Sequence, residues 1–102
     1  MRLCASQSRY ADELQRWRIC MGKHNLTYTE PGELCLGVRG IYRHESFKYP
    51  DVPTVEFDVA LMRLDGEVTP SAQIDFACLP SIEEQLPGDK KCYASGWGDE
   101  KG

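Results

Sequence analysis

Apolar positions along this chain come in short bursts, separated by polar stretches or by stretches broken with Gly and Pro. Residues 6–16 are polar and read as a loop or a short helix. Residues 17–21 (WRICM) form a burst of strand length. Residues 22–33 are rich in Asn, Thr, Pro and Gly and read as a loop. Over residues 34–42, Leu34, Leu36, Val38, Gly40 and Tyr42 alternate with Cys35, Gly37, Arg39 and Ile41, a period-two pattern that predicts a strand with imperfect faces. Pro50 and Pro53 punctuate a loop over 47–54. Residues 57–64 (FDVALMRL) are the most apolar run, predicted as a strand buried on both sides for most of its length. Residues 65–80 look extended and connecting, and residues 91–97 predict a final strand ending at Gly96 and Gly98. No internal repeat, low-complexity segment or long helix is present. Short strands with turn signals between them predict an all-β sandwich or barrel.

Composition narrows this picture. The chain has 102 residues, 41% of them apolar, enough for one small domain with a modest core. The net charge of −4 argues against nucleic acid and anionic membranes as partners. No run is long and apolar enough to predict a membrane span.

The cysteines change the picture more. There are five: Cys4, Cys20, Cys35, Cys78 and Cys92. None stands in a C-x-x-C pair and only two histidines accompany them, so zinc spacing is lacking. Dense cysteine in a short chain points to an oxidising compartment. The odd number leaves one thiol free or paired outside this sequence. Residues 1–17 carry Arg2, Arg9, Asp12, Glu13 and Arg16 and lack the apolar core of a signal peptide. Disulfide-style cysteines without a secretion signal conflict, and the expectation is that Met1 is not the N-terminus of the mature protein. A cytosolic protein with reduced cysteines is the plainer alternative.

Five segments, in order, resemble the trypsin/chymotrypsin family of serine proteases: RICMGKHNL (18–26), VRGIYRHESF (38–47), FDVALMRL (57–64), ACLP (77–80) and CYASGWG (92–98). Together they span nearly the whole chain from Cys4 onward. The resemblance implies a chymotrypsin-like double β-barrel. This chain would hold the second half of barrel one (within 1–64), the inter-barrel connection (65–90) and the first strand of barrel two (91–102). Such a piece leaves strand edges unpaired and apolar faces half covered, so the isolated chain is expected to fold poorly or aggregate.

The family's chemistry uses a serine nucleophile, a histidine base and an aspartate that orients the imidazole. Asp58, in the D-V-A-L motif, matches the aspartate. A carboxylate beside an apolar strand needs a dedicated partner; the plainer reading is a strand-edge aspartate in solvent. The histidine position, just before Cys4, holds Leu3. His24 and His44 match no catalytic position. No G-D-S-G-G motif occurs, and Ser71, Ser81 and Ser95 lack nucleophile context. The expectation is a fragment of a secreted serine endopeptidase, inactive alone. A catalytically dead homologue that binds proteins is the alternative, and an unrelated disulfide-stapled module leaves the five segments unexplained.

By the same resemblance, Cys4 and Cys92 match cysteines whose partners lie outside this sequence. Cys78 matches a cysteine that tethers a light chain, implying a zymogen parent. Cys20 and Cys35 are left. They flank the 22–33 loop at the ends of two strands that the family pairs, and a bond is feasible if their Cα atoms lie within about 7 Å; two buried free cysteines are the alternative. In many family members this loop binds calcium through two glutamates and backbone carbonyls. Glu33 matches one, but Lys23 occupies the other position, and an ammonium repels a cation that needs oxygen ligands. No calcium or other cofactor is expected, and Lys23 is expected to pair with Glu33. Asn25-Leu26-Thr27 is an N-x-T glycosylation candidate. The implied partners are protein substrates or protein inhibitors.

Overall fold

The computed structural model describes residues 13–98 and residue 100. Among the described residues a 3-10 turn, Leu14–Arg16, leads into three strands: β1 (Arg18–Met21), β2 (Leu34–Arg43) and β3 (Ala60–Leu64). They form one antiparallel sheet in the order β1-β2-β3, so the regular structure is β apart from that turn.

β2 is the axis of the sheet. Its first part pairs with β1, in the register Arg18↔Gly37 and Cys20↔Cys35. Its second part pairs with β3, from Val38↔Leu64 to Arg43↔Ala60, with an irregularity between Val38 and Gly40. The extra residue there is Arg39, and such a bulge bends a strand and increases its twist. Just beyond the ladder, Asp65 N–H donates to Gly37 O at 2.9 Å. Arg39 Nε donates to Asp65 Oδ1 at 2.8 Å with both side chains exposed, an ion pair of little energetic weight.

The core is very small. Among the described residues only Val38 and Ile74 are buried hydrophobics, and no side chain is fully buried. The accessible surface is 9242 Å², against roughly 5,800 Å² for a compact monomer of this mass. Ile74 reaches its site because the connecting segment docks on the β1–β2 hairpin. Gly22 (φ +74°) and Gly32 (φ +84°) lie against Gln73 and Ile74. A Cβ at Gly22 would come within 3.1 Å of both Gly32 O and Ile74 Cγ1, and the positive φ there itself favours glycine. A turn at Ser71–Ile74, closed by Ser71 N–H to Ile74 O at 2.8 Å, presents the isoleucine. Met21, Leu64, Val68 and Phe76 line the same depression.

Two expectations are corrected here. The run 57–64 is not buried on both sides: the strand starts at Ala60, and Phe57, Val59 and Leu61 are 54%, 52% and 72% exposed. β3 is an edge strand with one face uncovered, so its apolar run finds no second layer. Residues 91–98 form no strand. An extended segment becomes a strand only when a neighbour completes its hydrogen-bond ladder, and none reaches it within the described residues.

Candidate functional site

Asp58 lies between the loop after β2 and the start of β3. Phe57, just before it, has φ 56°, the left-handed region that a bulky side chain rarely enters. Val59 N–H donates back to Phe57 O at 2.8 Å, folding a three-residue turn with Asp58 at its centre. His44 holds this turn from the other side. Its backbone N–H donates to Val59 O at 3.0 Å, and its ring stacks on Phe57 at 4.9 Å between centroids and 21° between planes. His44 Nδ1 accepts the Ser46 N–H at 3.0 Å, so the neutral ring carries its proton on Nε2. The turn projects Asp58 outward, where the residue is exposed yet not without an interaction. A backbone outlier of this kind costs about 1–3 kcal/mol and is retained where the surroundings enforce it, often at functional sites.

The second cluster is the 22–33 loop. Cys20 and Cys35 are disulfide-bonded with Cα atoms 4.0 Å apart, directly opposite each other in the β1–β2 ladder. Inside the loop Lys23 Nζ lies 2.6 Å from Glu33 Oε2 and donates to Tyr28 O at 2.7 Å. Glu33 Oε2 also accepts the Glu30 N–H at 2.9 Å. Glu30 Oε1 accepts the N–H groups of His24 and Asn25 at 2.7 and 2.6 Å. The hydrogen bond from Lys23 holds the Glu33 carboxyl below its ordinary range, assisted by the Glu30 N–H. The Asn25 and His24 N–H groups do the same for Glu30. Cys20, Glu33 and Cys35 bring potential ligand atoms together, but both sulfurs are consumed by the disulfide, so no thiolate is offered to a metal.

One oxygen of each loop carboxylate and one backbone carbonyl are already engaged. Glu33 and the Tyr28 carbonyl serve Lys23, and Glu30 serves backbone donors.

The other singled-out residues lie apart. Cys78 and Cys92 are exposed free thiols. Asn25 is exposed. Cys4 and Leu3 lie outside the described residues. Two features had gone unread in the sequence. The left-handed Phe57 with its His44 stack has no local signal, since Phe is not a turn residue. The Trp97 indole donates to His24 O at 3.0 Å across most of the chain, which no local pattern announces.

The family model described as Trypsin matches residues 4–102. The chain is similar to chymotrypsin-C of Mus musculus, 37% identical over 83 residues, covering 80% of this chain and 30% of that protein. It is similar to granzyme M of Homo sapiens, 34% identical over 88 residues, covering 86% and 32%. It is also similar to chymotrypsin-like elastase family member 1 of Canis lupus familiaris, 31% identical over 87 residues, covering 85% and 33%. The chain spans about a third of the length of these curated relatives.

Proposed function

The chain belongs to the trypsin/chymotrypsin-like serine proteases, and from that premise we propose that it is the middle of the peptidase domain of a secreted endopeptidase in which Asp58 is the triad aspartate. The observation that carries this reading is the Asp58 turn: a carboxylate in the D-V-A-L motif, projected by a left-handed Phe57 and held by His44 and Val59. In the mechanism, this carboxylate accepts the Nδ1–H of a catalytic imidazole. It fixes the tautomer and stabilises the imidazolium that forms when the imidazole takes the serine proton. The position of the histidine, just before Cys4, holds Leu3 in this sequence, and no G-D-S-G-G motif occurs in it, so the 102-residue chain is read as inactive by itself.

The domain limits follow the same reading: barrel one within 1–64, the connection over 65–90, and barrel two opening at 91–102. The Cys20–Cys35 bond supports an oxidising, extracellular setting. Cys78, an exposed thiol in A-C-L-P, is read as the tether to a light chain of a zymogen. The 22–33 loop is read as independent of calcium, with the Lys23 ammonium as its internal cation.

In the full-length protein, Asp58→Asn should lower kcat by about 10⁴-fold with the fold intact, because the asparagine holds the imidazole in the wrong tautomer. An unchanged kcat would sink the triad assignment. A second reading rests on Leu3 at the place of the histidine before Cys4: a homologue that binds proteins without cleaving them. Absence of turnover in the full-length wild type, with retained binding of a protein substrate or inhibitor, would select it.

A further inference from the structure

We propose that Asn25 is an N-glycosylation site, modified by transfer of an oligosaccharide from a lipid-linked diphosphate donor. Asn25 is the sole asparagine of the sequence, and it begins an N-x-T acceptor with Leu26 between. It stands in the outer part of the 22–33 loop, where residues 24–29 are all exposed.

The loop geometry separates what the fold needs from Asn25 from what the modification takes. The fold uses two of its groups. The backbone N–H is held by Glu30 Oε1 at 2.6 Å, and the side-chain Oδ1 accepts the Thr27 N–H at 2.8 Å. That second bond identifies which amide atom is oxygen and turns Nδ2 away from Thr27 N. Nδ2 makes no hydrogen bond among the described residues. The transfer uses Nδ2 alone. A bond forms between Nδ2 and C1 of the first sugar, and the bond between C1 and the donor's diphosphate oxygen breaks. The lipid diphosphate leaves with the electron pair, and one Nδ2 proton passes to a base of the transferase. The product is still a secondary amide with its carbonyl oxygen, so both native hydrogen bonds survive.

The base of the loop is closed independently of Asn25, by the Cys20–Cys35 bond and the Lys23–Glu33 pair. A bulky substituent at residue 25 therefore displaces no buried contact. Leu26 and Tyr28, just after the acceptor, are 58% and 64% exposed, and a glycan rooted next to them would shield this pair from solvent.

The inference rests on entry into the secretory pathway, part of the reading above. The test is expression of the full-length protein in a eukaryotic secretory host. Glycans are then released by peptide N-glycosidase in ¹⁸O-water, and the peptide containing residue 25 is analysed by mass spectrometry. The expected result is conversion of Asn25 to ¹⁸O-labelled aspartate in the wild type, which needs no variant to fold. Asn25→Gln and Thr27→Ala should abolish the mobility shift due to this site, and Thr27→Ser, which keeps the hydroxyl, should preserve it at lower occupancy. Secreted protein with the Cys20–Cys35 bond formed and Asn25 unmodified overturns the glycosylation site alone. Unmodified protein retained in the cytosol with reduced cysteines overturns the site and the secreted reading together.

Discussion

The β1–loop–β2 hairpin and the segment 75–98 are of similar length and meet opposite fates. The hairpin contains a cross-strand disulfide, a ladder, and an ion pair whose two side chains are 12% and 11% exposed. The segment 75–98 carries Phe76, Leu79, Ile82, Leu86 and Tyr93, all well over half exposed, and it forms no strand. The apolar content of the two segments is about the same. What differs is the distance to a partner. The two strands of the hairpin find each other at short range along the chain, from Met21↔Leu34 to Arg18↔Gly37, whereas the later segment relies on surfaces that the described residues do not supply. Apolar side chains stabilise only through what covers them, so local closure makes one region self-sufficient and leaves the other waiting.

The comparison breaks most sharply at the disulfide. Replacing Cys20 and Cys35 together by serine should cost about 3 kcal/mol, from the freedom regained by a loop of this length. In the 102-residue chain, limited proteolysis should cut 75–98 first and spare 18–43, and the paired substitution should erase that order. Persistence of the order would show that the ladder, not the crosslink, protects the hairpin.

A smaller effect comes from the docking point that links the two regions. Gly22→Ala places a Cβ against Gly32 O and Ile74 in a left-handed backbone and should cost about 1–2 kcal/mol. Hydrogen exchange should then rise at residues 71–74 before it rises in β1. A uniform rise would mean that the docked segment and the sheet open as one unit.

The smallest effect is electrostatic. Backbone N–H groups of Asn25 and His24 hold the Glu30 carboxyl, and the Lys23 hydrogen bond holds the Glu33 carboxyl, below the ordinary glutamate value. Their contribution is therefore fully present above that value and is lost as pH falls through the lower folded-state values. Thermal melts of the full-length protein should show this acid loss, and Glu33→Gln should reduce it. At neutral pH, calcium or a chelator should leave the melting temperature unchanged, because Lys23 already fills the loop. Calcium-dependent stabilisation abolished by Glu33→Gln would reverse the assignment of the loop.

The legible part of this fold was the local part. Alternation across 34–42 marked β2, whose observed bounds, Leu34–Arg43, differ by one residue. Residues 17–21 marked β1, and the family resemblance brought Cys20 to Cys35. The run 57–64 misled because continuous apolar character predicts two covered faces, and the sheet supplies one. Residues 91–97 misled because strand character in a sequence cannot become a strand without a neighbour. At the candidate site, Asp58 was legible from its motif, but the turn that presents it was not. Phe57 adopts its left-handed conformation under constraints from His44, thirteen positions earlier, and no local residue preference encodes that.

The undivided course of β2 has a practical meaning. Its ten residues extend roughly 30 Å at strand rise, with the locked loop attached at one end and the aspartate turn at the other. The bulge at Arg39 sits between them as a joint where β2 changes partners. Sequence drift, a bulky substituent or an engineered tag at the loop thus falls a whole strand's length from the aspartate turn. The loop is free to diversify while the aspartate keeps its address.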